Sequence, residues 1–215
     1  MALPWAARRR LLERVLGYEL AASSHMGLAW IAPHQLVLGP DTAIGHGTVC
    51  RNIGCLELGR STVIGSFNWI TGTPPESTNS PGYFSHQLDR YPQLLVGEHS
   101  SVTSRHVIDC TNEVSIGRFT VVAGYHTLIL THSVDLEHAR QASEPVQIGN
   151  FCFVGSRCTL LPGSALPDYS VLGAGSLLNK SYEEPYVLYA GSPARPVKSL
   201  PPQSAYFMRK TGHIS

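Results

Sequence analysis

The chain has 215 residues, a net charge of +1 and 14% charged residues, which bounds it to one domain and excludes the broad basic footprint that nucleic-acid binding requires. Its 20 glycines and 15 prolines fit short strands and corners rather than surface helices. Cys50, Cys55, Cys110, Cys152 and Cys158 form no CxxC pair and are odd in number, so packed thiols in a reducing, cytoplasmic setting are expected rather than a disulfide framework.

Within residues 1–35, the stretch 4–20 places Trp5, Leu12, Val15 and Leu16 at helical spacing, with Arg8, Arg9, Arg10, Glu13 and Arg14 mostly opposite. It reads as one short amphipathic helix, either a cap over an open solenoid end or a foot on a membrane surface. No apolar run is long enough to span a bilayer, so any membrane contact is at most peripheral. From Leu38 an aliphatic beat of six begins: Leu38, Ile44, Cys50, then after a two-residue slip Leu58, Ile64 and Ile70. A strict six is neither the helical period nor the strand period and implies one inward residue on each flat side of a three-sided coil. The body of this β-helix is expected over 36–180.

The beat stops at an aperiodic, proline-rich loop over 71–94, where Tyr83, Phe84, His86, Arg90 and Tyr91 suggest a shaped surface bordering an acceptor or a subunit contact. It resumes at Val96, Val102 and Ile108, slips by two, and continues at Ile116, Val122 and Leu128. Four residues after these aliphatics stand His106, Asn112, His126 and His132, where other coils carry Ser, Thr or Cys. The spacing predicts His106 one coil from His126, and Asn112 one coil from His132. Polar residues imposed on a structural repeat mark a functional site. A second excursion spans 133–145, followed by six aliphatics at a spacing of six (Ile148, Val154, Leu160, Leu166, Leu172, Leu178) with Gly149, Gly155 and Gly173 at corners. Residues 181–215 form a strand, a basic turn-rich segment and a tail.

The hexapeptide run, the segment LILTHSVDLEHARQ and the following Pro145, Val146, Ile148 and Gly149 resemble the left-handed β-helix hexapeptide-repeat acyltransferases, the group of galactoside, maltose, serine and polysaccharide O-acetyltransferases. The left hand of the all-β parallel helix comes from this resemblance. It implies direct transfer from acetyl-CoA or another acyl-CoA as cosubstrate, with no permanently bound cofactor, to a hydroxyl-bearing, sugar-like acceptor. His132 matches the family's catalytic histidine and Asp135 the acid that follows it, with Ser133 in place of the common proline. His106, Asn112 and His126 are candidates for the acceptor side. For the donor, the resemblance implies a groove between subunits of a homotrimer lined by Phe153, Gly155, Gly173, Ala174 and Gly175, with Lys180 and Arg195 meeting the CoA phosphates.

Two other readings use the same solenoid. A γ-carbonic-anhydrase-like zinc enzyme needs closely spaced imidazoles, whereas His126, His132 and His138 are six apart and that family's pair five apart is missing. A noncatalytic structural trimer would leave His132, Lys180 and Arg195 without a role.

Overall fold

In a computed structural model of the chain, residues 3–74, 82–212 and 214 are described. Residues 75–81, the tip of the expected loop, lie outside them, as do two positions of the tail. The body is a three-sided solenoid of parallel sheets. The first sheet stacks Glu19–Leu20, Gln35–Leu38, Cys55–Leu58, Gln93–Val96, Val114–Ile116, Val146–Ile148 and Ala165–Leu166. The second stacks His25–Met26, Ala43–Ile44, Val63–Ile64, Ser101–Val102, Val121–Val122, Phe153–Val154 and Val171–Leu172, then Val187–Gly191 and, antiparallel to it, Ala194–Ser199. The third stacks Trp30–Ala32, Val49–Arg51, Trp69–Thr71, Val107–Asp109, Leu128–Ile129, Thr159–Leu160 and Leu177–Leu178. Parallel stacking thus begins at Glu19, one coil before the beat becomes regular.

Each flat side turns one aliphatic column inward, as in Ile44, Ile64, Val102, Val122, Val154 and Leu172 of the second sheet, every member buried. The two-residue slips have a plain cause. The longer strands of the first sheet carry a second inward residue, such as Leu56 beside Leu58 and Leu94 beside Val96.

Polar residues inside the corners tie each coil to the next. Thr48, Thr62, Ser100 and Thr120 donate from Oγ to the carbonyls of Gly65, Gly97, Gly117 and Gly149 at 2.7–2.9 Å. In later coils the Cys152 and Cys158 thiols do the same to Pro167 and Gly173. A buried carbonyl left unpaired would be costly, so this column holds small hydrogen-bonding side chains rather than more aliphatics. All five cysteines are free, and burial pushes the Cys50 and Cys152 thiols up to about 12.

One coil breaks the beat. Val107 pairs with Leu128 and Ile108 with Ile129, so the buried residue is Ile129, and Leu128, expected inward, faces out. An extra residue between Val122 and Ile129 shifts the register by one and pushes Tyr125 outward, 56% exposed.

The 12-residue helix α1 (Trp5–Leu16) lies against the first coil, where Trp5 and Leu12 pack partly buried on the core. At the other end the chain turns back. The short helix α2 (Ala205–Met208) sets Phe207 edge-on to Tyr169 and Tyr186. These two close a stack of rings, His99, Phe119, Phe151, Tyr169 and Tyr186, one per coil along a single corner. No helix among the described residues is long and apolar enough to cross a membrane.

Candidate active site

The two excursions leave the solenoid at one corner, between the third and first sheets. The second is an antiparallel hairpin, His132–Asp135 paired with Arg140–Ser143, in which His132 faces Ser143. At its base, His132 Nδ1 lies 2.8 Å from Asp109 Oδ2. Asp109 comes from the preceding coil, at the end of the strand Val107–Asp109. Its carboxylate is 12% exposed and accepts from the Thr131 amide and hydroxyl (both 2.9 Å) and from the Thr111 hydroxyl (2.7 Å). Burial raises the carboxyl's pKa, but the hydrogen bonds from His132, Thr111 and Thr131 outweigh it and hold it below its ordinary value. Asp109 is therefore an anion, and Nδ1 carries the proton it receives. The hydrogen bond to Asp109 also raises the His132 pKa, against the opposing effect of burial. The imidazole is 44% exposed, and Nε2 has no hydrogen-bond partner among the described residues. An oriented neutral histidine with one free lone pair is the geometry of a general base.

Asp135, expected to serve His132, does not touch it. Its carboxylate accepts from His138 Nδ1 (2.9 Å) and Arg140 Nε (3.1 Å) within the hairpin. Side chains three apart on a strand point to opposite faces, so Asp135 turns away from His132. The acid that does pair, Asp109, escapes a forward search from His132 because it stands 23 residues upstream.

Asn112 lies at the same corner. Its amide N–H donates to Thr131 Oγ1 (2.9 Å) and its Nδ2 to Ser143 Oγ (3.2 Å). The proline-rich loop reaches the same place. Gln87 Nε2 donates to Ser143 O (3.0 Å), while Gln87 Oε1 accepts from Ser143 N (2.9 Å). Arg90, stacked over Phe84, donates to Thr111 O (2.7 Å) and to Thr73 O. A polar cavity of about 350 Å³ opens beside this clasp, lined by Gln87, Asp89, Tyr91, Asn112, Glu113 and Gln147 among others. Sequence reasoning singled out this loop and Arg90, but not Gln87 or Ser143, which carry no motif.

The other histidines part company. His106 is 1% exposed. Its Nδ1 accepts from the Thr127 amide (3.1 Å) and its Nε2 meets Thr103 Oγ1 (2.9 Å), so both ring nitrogens are occupied. Burial first, and then the charge of His126, press its pKa down to about 4, and it stays neutral as a member of the inward polar column. The shifted register sets Thr127, not His126, opposite His106. His126 stands in the left-handed backbone region beside Arg105, whose carbonyl accepts its N–H at 3.0 Å. This is the corner between the second and third sheets, so the third sheet separates His126 from His132.

The residues expected on the donor side divide the same way. Gly155, Gly173, Ala174 and Gly175 share the corner of His126. A side chain on Gly155 would come within 2.6 Å of the Ala174 nitrogen, and Gly175 has φ +70°. Phe153, on the second sheet, meets Tyr206 edge-on. Lys180, by contrast, follows the strand Leu177–Leu178 and lies at the corner of His132, two coils further on, roughly 10 Å at about 4.8 Å per strand step. Its ammonium stands 4.9 Å over the Tyr182 ring, and the Tyr182 hydroxyl donates to Ala194 O (2.6 Å), next to Arg195. The structure thus brings together His132, Asn112 and, further along the same corner, Lys180, whereas Arg195 pairs with Ala190, which lies against Gly173, and so belongs with the glycine stack.

No protein-family model matches the chain. It is 34% identical over 134 residues to the galactoside O-acetyltransferase of Escherichia coli, covering 60% of this chain and 64% of that protein. The chain is thus similar in sequence to a sugar O-acetyltransferase over just under two thirds of that relative's length. Among solved structures, the solenoid superposes on a maltose O-acetyltransferase from Clostridium difficile with a TM-score of 0.53 at 20% identity, over 67% of this chain and 69% of that one. It also superposes on a hexapeptide-repeat acetyltransferase from Vibrio cholerae complexed with acetyl coenzyme A, with a TM-score of 0.50 at 17% identity over 94% and 80% of the two chains. The fold is therefore the left-handed parallel β-helix of these hexapeptide-repeat acetyltransferase structures.

Proposed function

We propose that the chain transfers an acyl group, acetyl in the simplest case, from acyl-CoA to a hydroxyl of a sugar-like acceptor. The carrying observation is the His132–Asp109 pair, a half-exposed imidazole fixed at Nδ1 by a buried carboxylate with Nε2 open. Nε2 takes the proton of the acceptor hydroxyl as its oxygen attacks the thioester carbonyl. The tetrahedral intermediate collapses by breaking the carbon–sulfur bond, and the imidazolium proton passes to the departing CoA thiolate. Asp109 orients the ring and balances the imidazolium charge. The polar cavity beside Gln87, Asn112 and Glu113 receives the acceptor.

The acetyl-CoA complex of the Vibrio cholerae neighbour and the name of the Escherichia coli relative support this donor and acceptor class. The five free thiols fit a reducing, cytoplasmic setting. The divided site supports a homotrimer: if the glycine corner of one chain, with its His126, faces the His132 corner of the next, both halves of the groove are complete. The outer face of the third sheet supports such a contact, since Trp69 is 44% and Val107 41% exposed on it and Leu128 lies in the same row. His106 is withdrawn from the zinc reading, because it is buried with both ring nitrogens engaged.

The test is titration calorimetry of acetyl-CoA into the chain and its variants, with turnover on a panel of sugars. Lys180→Ala or Arg195→Ala should weaken binding about tenfold each. His132→Ala should leave binding nearly intact while lowering turnover by about 10²-fold or more. No binding of acetyl-CoA or of longer acyl-CoAs would overturn the reading.

A further inference from the structure

The first coil carries a surface that the transfer reaction does not use. Helix α1 has no buried residue. It is held from one side: Trp5 Nε1 donates to Ser24 O, Arg8 to Gly27 O (3.0 Å), and Arg9 to Leu20 O (3.1 Å) and Glu13 (3.0 Å). The opposite side is left free. Arg10 and Arg14 are exposed and join no ion pair among the described residues. Beside them Leu11 is 53% and Val15 68% exposed, and Leu3 and Leu28 are 57% each. Leu3, Leu11 and Leu28 line an apolar groove of about 540 Å³ between the helix and the first coil. A cap that served only to cover the solenoid end would turn these residues inward, as it does Trp5 and Leu12.

Charge narrows the choice of partner. The helix carries four arginines against one glutamate, in a chain whose net charge is only +1, so its basic charge exceeds that of the whole molecule. Apolar side chains flanked by unpaired guanidiniums suit a surface with phosphates above and hydrocarbon below. We propose that this end of the solenoid docks on an anionic lipid bilayer, with Leu3, Leu11, Val15 and Leu28 entering the headgroup boundary and Arg10 and Arg14 meeting lipid phosphates. His132 would then stand four strand steps along the third sheet from the docked coil, roughly 19 Å at about 4.8 Å per step, clear of the headgroups. In an assembly of parallel solenoids all the helices lie at the same end, and several weak contacts add. The proposal does not depend on the transfer reaction.

The experiment is co-sedimentation of the full chain with vesicles of equal parts phosphatidylcholine and phosphatidylglycerol, and with phosphatidylcholine alone. Binding is expected only to the mixed vesicles, and to fall as salt is raised. Arg10→Glu with Arg14→Glu should weaken it on the order of tenfold or more, and Leu11→Ser with Val15→Ser should abolish it, with circular dichroism unchanged in both. Absence of binding to mixed vesicles, or binding that survives the double Arg→Glu variant, overturns the proposal. So does loss of assembled mass in the Leu11→Ser, Val15→Ser variant without vesicle binding by the parent, which would make this face a contact between copies.

Discussion

At His132 the decisive quantity is the state of two ring nitrogens. Because Asp109 raises the His132 pKa, the proposed base is protonated and idle below that raised value, and activity should climb with pH through it. Asp109→Asn removes the raising partner. The acid limb of kcat/KM against pH should therefore move to lower pH, while the plateau falls by about 10²-fold or more as the imidazole loses its fixed tautomer. Asp135→Asn should change neither limb nor plateau, since Asp135 serves only the hairpin. Gln87 tests the support of the site. Its amide grips Ser143 as a neighbouring strand would, and Ser143 faces His132. Gln87→Ala should lower kcat by about tenfold through misplacement of the base and leave calorimetric acetyl-CoA affinity unchanged. His132 is legible in the sequence because it stands in a signature. Asp109 is not, because its partnership is made by stacking: it becomes visible only when coils are laid in register and an acid appears level with Thr71 and beneath Leu130.

The corners show why some elements read clearly and others do not. Inward aliphatics repeat because a coil interior admits one per side, and that beat located most of the strands. The extra residue before Ile129 defeats simple counting: spacing places Leu128 inward and His126 beside His106, whereas pairing shifts both by one. The returning tail has no period because it packs on a stack of rings rather than into the solenoid. Its signal was a different column, in which His99, Phe119, Phe151, Tyr169 and Tyr186 occupy one corner, each with φ of 53–59°. Non-glycine residues in this backbone region cost about 1–2 kcal/mol each, and stacked rings offset part of that by about 0.5–1.5 kcal/mol per pair. Phe207, 6% exposed, fastens the tail to that stack. Phe207→Ala should remove about 3 kcal/mol of local stability, and amide exchange across 200–212 should accelerate roughly a hundredfold with the solenoid still protected.

For the whole molecule, the third sheet separates the His132 corner from the glycine corner, and under the proposed function a neighbouring chain must complete the site. Trp69→Glu with Val107→Glu puts two carboxylates on that sheet's outer face without touching its interior. Sedimentation should then give a single-chain mass in place of a three-chain mass, and acetyl-CoA binding should disappear together with turnover.

The corner that carries both excursions has a consequence for how such a molecule can change over generations. Thr71 stays in register with Asp109 and Gln93 with Cys55, although the chain departs and returns between them. The hairpin likewise departs after Ile129 and rejoins the first sheet at Val146. An insertion there disturbs no inward aliphatic, and doubling its length costs only about 0.6 kcal/mol in closure entropy. The solenoid is thus conservative in its interior and permissive at the one edge where the proposed base stands. New acceptor preferences can arise there by lengthening, shortening or exchanging two surface segments, with the stacked coils inherited unaltered.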